Sequence, residues 1–128
     1  MISGIGNDIC NIERIFMTKQ RFGRRFVDRC FGVNEQREFS GEKNEKKYAA
    51  DLAKRFAAKE AFVKALGTGF RGGLRWSEIE VMHEESGRPY VYLSGKTRDI
   101  VAKFGIQKIW LSLSDDYPFA QAVVVVEV

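Results

Sequence analysis

The segment NEKKYAADLAKRFAAKEAFVKALG, residues 44–67, decides the fold. It is rich in Ala, Lys, Leu and Glu and contains no internal Gly or Pro. It closes on Gly67, a residue type that favours the position just after a last helical turn. The segment therefore predicts one long helix. On a helical wheel its core stripe consists of Leu52, Phe56, Val63 and Leu66.

The flanking segments predict strands and shorter helices. Residues 1–10 suit a strand, residues 12–31 a helix broken at Gly23, and residues 33–41 a short helix capped by Asn34 and stopped by Gly41. Further elements are a hairpin over 79–93, a helix over 95–105, and strands over 108–114 and 119–128 joined at DDYP. This order predicts a single α+β domain over residues 1–128, with an antiparallel sheet packed against the long helix and the shorter helices.

Composition excludes several classes of protein. No apolar stretch approaches the ~20 residues needed to cross a bilayer, and the first residues lack a signal-peptide pattern. Cys10 and Cys30 have no metal-type spacing, so we expect free thiols in a reducing cytoplasm. His83 is the only histidine, and it lies in an apparent solvated turn. Nucleophilic schemes that need a histidine are therefore excluded unless His83 itself takes part.

The positive charge is concentrated in one stretch. The chain carries a formal charge of +4, and TKQRFGRRFVDR, residues 18–29, contributes most of the excess. A basic patch of this kind favours an acidic partner: nucleic acid, anionic lipid or an acidic protein. A basic face that simply contacts solvent is the alternative, and composition does not choose between them.

Two carboxylates point to a metal site. Glu60 lies at the edge of the core stripe of the long helix, Lys64 follows one turn later, and Asp8 stands near the end of a glycine-bearing strand predicted to pack under that helix. Carboxylates without histidine or thiolate company suit Mg²⁺, which takes one or two of them and completes its shell with water and phosphate oxygens. Two alternatives stay open: a surface ion pair between Glu60 and Lys64, and a helix N-cap role for Asp8.

A glycine loop, GTGFRGG at residues 67–73, follows the long helix. Exposed backbone N–H groups in such a loop can hold phosphate, with help from Lys64 and Arg71. The loop follows a helix instead of preceding one, so neither the P-loop nor the dinucleotide motif applies. A helix C-cap followed by an ordinary turn is the alternative.

Four stretches together resemble a known family. They are GIGNDICNIERI (4–15), RFAAKEAFVKALGTG (55–69), EIEVMHEESGRPYVYLSG (78–95) and LSLSDD (111–116). They are similar, in register over nearly the whole chain, to the holo-acyl-carrier-protein synthases, the small phosphopantetheinyl transferases. The resemblance implies transfer of 4′-phosphopantetheine from coenzyme A to a serine of apo acyl carrier protein, with release of adenosine 3′,5′-bisphosphate. It also implies a homotrimer with active sites at subunit boundaries.

The same resemblance implies residue roles. Mg²⁺ would be held by Asp8 and Glu60, while Lys64 would contact the transferred phosphate; these three are the implied catalytic residues. The implied contacts of coenzyme A are Arg55, Lys64, Gly67 and Pro89. The basic residues implied to bind the acidic helix of the carrier protein are Arg14, Arg21 and Arg24, with Arg25 assisting.

The chain departs from the family pattern at two positions. Asn7 stands where the family usually has threonine, and Asp115 replaces a family histidine, while Asp116 falls where an acid is usual. Asp115 could bring a third carboxylate to the metal, act as the base, or mark a weakened enzyme. The alternative function is therefore a carrier-protein or coenzyme A binding module without turnover. Nucleic-acid binding rests on charge alone and is not expected.

Overall fold

The computed structural model describes all 128 residues. In chain order the elements are β1 (Ile2–Asn11), α1 (Ile12–Phe22), α2 (Arg24–Cys30), α3 (Val33–Phe39), α4 (Glu45–Leu66), β2 (Ile79–His83), β3 (Pro89–Leu93), α5 (Gly95–Ala102), β4 (Lys108–Asp116) and β5 (Phe119–Glu127). A single 3₁₀ turn, Trp76–Glu78, precedes β2. No helix is both long enough and apolar enough to cross a bilayer.

The strands form two antiparallel sheets, and α4 packs on both. The larger sheet has the order β1-β5-β4, and β2 pairs with β3 in a separate hairpin. The prediction of an α+β fold built on the long helix is therefore confirmed, but the single sheet is divided in two. Strand β3 packs beside β4 without sharing a hydrogen-bonded ladder.

Helix α4 has the boundaries that its sequence predicts. The Asn44 side chain accepts hydrogen bonds from the backbone N–H groups of Lys46 and Lys47, and Gly67 ends the helix in the left-handed conformation. Leu52 and Val63 of the predicted stripe are fully buried, whereas Phe56 and Leu66 are only partly buried. The stripe is wider than predicted because alanines also lie against the larger sheet, where their small side chains allow close packing: Ala53, Ala57, Ala61 and Ala65.

Two local predictions were wrong. Helix α3 begins after Gly32, not at Asn34, and ends at Phe39 before Gly41 is reached. The reason is the buried carboxylate of Glu80, which accepts hydrogen bonds from the Asn34 backbone N–H (2.8 Å) and side-chain amide (3.0 Å). A group from β2, remote in sequence, therefore satisfies the first turn of this helix.

The final hairpin also differs from expectation. Asp115 and Asp116 belong to β4, where they pair with Ala120 and Phe119 of β5, so the acids are strand residues and not part of the turn. The turn itself consists of Tyr117 and Pro118, joined by a cis peptide bond. The N–H of Ile12 donates to the Pro118 carbonyl oxygen (2.8 Å), which ties this turn to the start of α1.

A buried ion pair joins α3 to α4. The Lys59 ammonium donates to the Glu35 carboxylate at 2.6 Å and to the backbone carbonyl oxygens of Trp76 and Ile79, and both charged side chains are fully buried. Burial lowers the pKa of Lys59 and raises that of Glu35, while the charge of each partner opposes the shift of the other. No local sequence pattern points to this pair.

Candidate active site

Two glycines bring β1 into direct contact with α4. A Cβ atom at Gly4 would overlap the carbonyl oxygen of Ala65, and one at Gly6 would overlap that of Ala61. Only glycine permits this approach. Because side chains alternate along a strand, Asp8 projects from the same face as these glycines and reaches the side of α4. The glycine-bearing strand therefore positions the carboxylate.

Asp8 contacts a charged side chain of α4 where β1 packs against that helix. The Lys64 ammonium donates to the Asp8 carboxylate at 3.0 Å and to the Asn7 carbonyl oxygen at 3.0 Å. Asp8 is largely sheltered, whereas Lys64 is half exposed. Neither simpler alternative holds: Lys64 pairs with Asp8 and not with Glu60, and the N-cap of α1 is Asn11.

Glu60 completes the cluster. Burial raises the pKa of its carboxyl, and the neighbouring Asp8 carboxylate raises it further, while the Lys64 ammonium lowers it. A bound cation would favour the ionised form of Glu60, which burial and the neighbouring carboxylate disfavour. We call Asp8, Glu60 and Lys64 the open cluster.

The donor set fits Mg²⁺. No group of three His, Cys, Asp or Glu side chains converges anywhere in the chain, so a closed zinc-type site is not built. Two carboxylates with open positions match the demand of Mg²⁺ for few protein ligands plus water and phosphate. Burial, followed by the Asp8 charge, raises the pKa of the adjacent Cys10 to about 11, so this thiol stays protonated and is a poor ligand.

The glycine loop begins one residue after the end of α4. The N–H of Gly67 is used by the helix cap, where it donates to the carbonyl oxygens of Val63 and Lys64 at 3.0 Å each. The amides of residues 69–73, by contrast, donate no hydrogen bond to any protein acceptor. These five consecutive N–H groups are available to an anion.

Comparison with known proteins identifies the family. The family model described as the 4′-phosphopantetheinyl transferase superfamily matches residues 4–122. The chain is 45% identical to a holo-[acyl-carrier-protein] synthase of Sinorhizobium medicae, over 99% of this chain and 92% of the relative. The chain belongs to the 4′-phosphopantetheinyl transferase superfamily.

Solved structures of synthases share the fold. The crystal structure of the Neisseria meningitidis holo-[acyl-carrier-protein] synthase superposes with a TM-score of 0.89 at 38% identity, covering 99% of both chains. The Helicobacter pylori synthase in complex with coenzyme A gives a TM-score of 0.81 at 33% identity, covering 96% of this chain and 99% of the other. The resemblance to the small phosphopantetheinyl transferases is confirmed.

Arg55 lies away from the open cluster of this transferase. Glu60 is five positions later in the helix, which places the two side chains about 140° apart around its axis. Its guanidinium is buried and binds Glu38 at 3.0 Å and Asp51 at 3.1 Å, and it also donates to the Val81 carbonyl oxygen. Within one chain its guanidinium binds these groups and has no contact with Asp8, Glu60 or Lys64. Its predicted contact with coenzyme A stays a prediction.

Pro89 belongs to the same distant region as Arg55. It pairs in the hairpin with His83, whose backbone N–H and ring nitrogen both contact the Glu38 carboxylate, at 3.0 Å and 2.9 Å. Glu38 thus bridges His83 and Arg55. Although burial raises the pKa of Glu38, the hydrogen bonds from His83 and Arg55 lower it overall. The predicted contacts therefore fall into two separate regions of the chain.

Asp115 has a partner that the sequence did not reveal. Its carboxylate forms an ion pair with Lys54 of α4 at 3.1 Å. Asp115 lies on β4, next to β5, on the side of the sheet that faces α4. It forms no group of three carboxylates with Asp8 and Glu60, so this chain does not place Asp115 in the open cluster. The sequence alone could not predict this pair, because the register of β4 against β5 decides whether Asp115 faces Lys54.

The basic residues of the first helices are free to bind a partner. Arg14, Arg21 and Arg24 are all exposed. Arg24 forms a solvent-exposed pair with Asp28 at 3.1 Å, and the Arg21 guanidinium lies over the Phe22 ring at 5.1 Å. Such surface contacts are weak and exchange readily with a partner's carboxylates.

Proposed function

We propose that this chain is a Mg²⁺-dependent holo-acyl-carrier-protein synthase of fatty acid biosynthesis. It transfers 4′-phosphopantetheine from coenzyme A to a serine of apo acyl carrier protein and releases adenosine 3′,5′-bisphosphate. The observation that carries this function is the convergence of Asp8, Glu60 and Lys64 at the glycine-lined seam of a chain that belongs to this superfamily. The near-full-length similarity to proteins named as synthases supports the same reaction.

Each member of the open cluster has a defined task in this reaction. Asp8 and Glu60 would hold Mg²⁺, and Mg²⁺, when bound, neutralises charge on the diphosphate. Lys64 uses two of its three N–H donors on Asp8 and Asn7, which leaves one for a phosphate oxygen of the transferred group. The ammonium thereby stabilises charge where it develops in the transition state.

The bond changes follow from the substrates. The serine oxygen forms a bond to the phosphorus of the phosphopantetheine group, and the bond from that phosphorus to the bridging oxygen of the diphosphate breaks. Adenosine 3′,5′-bisphosphate leaves with that oxygen. The serine hydroxyl loses its proton, and the carboxylates of the open cluster are the acceptors that lie at the site.

The separation of the predicted contacts supports a site completed by a second copy. Arg55 and Pro89 lie in a different region of the chain from Lys64, and a neighbouring copy could supply them to the same ligand. The outward face of the larger sheet carries exposed apolar residues suited to such an assembly: Ile5 is 67% exposed, Ile9 64% and Phe119 48%. We propose a homotrimer, which light scattering after size-exclusion chromatography would test.

The carrier protein and the compartment follow from charge and composition. The exposed residues Arg14, Arg21 and Arg24 would receive the acidic helix of the carrier protein and accelerate encounter. Both cysteines are free and buried, in keeping with a reducing compartment. We therefore propose that the enzyme works in the cytoplasm.

The test is a direct transfer assay. The chain is incubated with coenzyme A, Mg²⁺ and apo acyl carrier protein, and the carrier is weighed by mass spectrometry. We expect a gain of one phosphopantetheine, which disappears with a chelator or with a carrier whose acceptor serine is replaced by alanine. Absence of any gain with several carriers would contradict the function. Binding without transfer would instead support the alternative of a binding module.

A further inference from the structure

Three aromatic rings stack between α4 and the glycine loop. The ring of Trp76 lies 4.6 Å from that of Phe56, with an interplanar angle of 17°, and 3.9 Å from that of Phe70, with an angle of 15°. Phe56 is one helical turn before Glu60 on α4, and Phe70 is the central residue of the glycine loop. We call these three rings the aromatic stack.

Trp76 is a fixed platform for this stack. Its carbonyl oxygen accepts a hydrogen bond from the buried Lys59 ammonium at 2.9 Å. Phe56, the ring that contacts it from α4, is packed against the core. Two independent contacts with the helix therefore fix the position of the indole. A residue that stacks on this indole is therefore held in a fixed position relative to α4, the helix that carries Glu60 and Lys64.

The glycine loop has few other attachments. The chain is held before it by the Gly67 N–H bond to Val63, and after it by the Arg75 N–H bond to the Thr97 hydroxyl at 3.0 Å. Between these points the amides of residues 69–73 donate to nothing in the protein, and the three residues after Phe70 are exposed. Leu74, immediately after the loop, is buried in the core, and within residues 69–73 Phe70 is the side chain that packs against the core.

We propose that Phe70 is a positioning residue for coenzyme A. By stacking on Trp76 it holds the glycine loop against α4, so that the free amides of the loop meet an anionic group of coenzyme A in a preformed arrangement. This inference rests on the proposed function. A loop without this anchor must be ordered each time the substrate binds, and that entropy cost weakens binding.

The role predicts a specific kinetic effect. Removal of the anchor should raise the KM for coenzyme A, because the cost is incurred on binding, and it should leave kcat little changed. A merely structural role would lower thermal stability without changing the KM for either substrate. The fluorescence of Trp76 should also report binding, because a ligand that orders the loop changes the surroundings of its indole.

The experiment compares Phe70→Ala and Phe70→Leu with the wild-type chain. Phe104→Ala, at an exposed phenylalanine beyond α5, is the matched control. For Phe70→Ala we expect the KM for coenzyme A to rise about tenfold, the scale that one aromatic pair can contribute, with kcat within about twofold. Phe70→Leu keeps the apolar contact and should show a smaller rise. Phe104→Ala should match the wild type.

Tryptophan emission gives a readout that does not depend on transfer. Addition of coenzyme A, or of adenosine 3′,5′-bisphosphate, should change the emission of the wild-type chain. The change should vanish in Trp76→Phe, which removes the reporter but keeps a ring in the stack, and should shrink in Phe70→Ala. Loss of the effect in Trp76→Phe assigns it to this indole and not to Trp110.

Two outcomes would overturn the inference. One is a folded Phe70→Ala chain, judged by its Tm, with the wild-type KM for coenzyme A. The other is a wild-type emission that does not respond to either nucleotide. If Phe70→Ala does not fold, Phe70→Leu decides, and an unchanged KM there overturns the proposal. If the wild-type chain transfers phosphopantetheine and the Phe70 variants have its KM for coenzyme A, this inference alone is contradicted. If the wild-type chain does not transfer, the proposed function is contradicted.

Discussion

Lys59 and Glu60 are neighbours in sequence, yet they belong to two charge clusters of opposite character. Lys59 lies in a sealed cluster with Glu35, where protein groups satisfy every polar atom and no water is needed. Glu60 lies in the open cluster, beside a second acid and a half-exposed lysine with a spare donor. The sealed cluster stabilises the fold, and the open one retains capacity for a ligand.

The difference arises from helix geometry. Adjacent residues on α4 point about 100° apart, so Lys59 faces the β2–β3 side while Glu60 faces the edge of β1. The β2 side offers carbonyl oxygens and a buried carboxylate. The β1 side offers glycines, which bring backbone close but contribute no side chain to satisfy the charge.

The largest effect should come from Glu60→Gln. Loss of one of two metal-binding carboxylates removes transition-state stabilisation worth several kcal/mol, so we expect turnover to fall by about 10³-fold or more. Stability should not fall. Because the pKa of Glu60 is raised in the folded chain, the free energy of unfolding falls as the pH rises from the ordinary carboxyl pKa through the raised one, and glutamine removes this cost.

Mass spectrometry of the carrier measures the turnover of Glu60→Gln, and a melting curve recorded with chelator measures its stability. Glu84→Gln, at an exposed turn residue, is the control and should match the wild type in both. Near-normal transfer by Glu60→Gln would remove this residue from the metal site.

Lys59→Met should have the largest effect on stability. It leaves the Glu35 carboxylate buried without its partner, a change that typically costs about 3–5 kcal/mol. Urea unfolding followed by circular dichroism measures the loss. Lys54→Met, which breaks the partly exposed pair with Asp115, is the matched control and should cost less than ~1 kcal/mol. Equal losses in both variants would contradict the special contribution of the sealed cluster to stability.

A smaller effect is expected at the basic helices. Charge reversal by Arg21→Glu should raise the KM for the carrier protein about tenfold at low salt, and the effect should shrink as salt is added because the contacts are exposed. The KM for coenzyme A should not change. Arg98→Glu, at an exposed arginine of α5, is the control. A salt-independent loss, or one shared by the control, would point to a structural cause.

The two clusters also show what sequence could predict. Asp8, Glu60 and Lys64 were predicted because a glycine-bearing strand and an amphipathic helix each have a period that fixes which side chains share a face. The sealed cluster was missed because Lys59 looks like any helix-surface lysine until Glu35, far along the chain, is brought to it. Pairings between remote segments have no local signal.

Contacts between remote segments also account for the fold predictions that were wrong. The cap of α3 was misplaced because Glu80, a residue of β2, replaces the local cap that Asn34 would have provided. The strand before the final turn was predicted to end at residue 114 because two aspartates favour a turn. Its hydrogen-bonded ladder with β5 instead continues to Asp116. In both cases a tertiary contact overrode a local preference.

The smallest effect is expected at Asp115, the residue that departs from the family. Its ion pair with Lys54 already uses its charge, and it lies outside the open cluster, so it is poorly placed to accept the serine proton. Asp115→Asn should therefore change turnover by less than about threefold, which is the weight of a partly exposed ion pair, and leave the dependence of turnover on pH unaltered. Transfer rates measured across pH, with Asp115→His alongside, provide the check. Loss of the acidic limb of the profile in Asp115→Asn, the limb along which a base becomes protonated, would make this carboxylate the base and would extend the open cluster to β4.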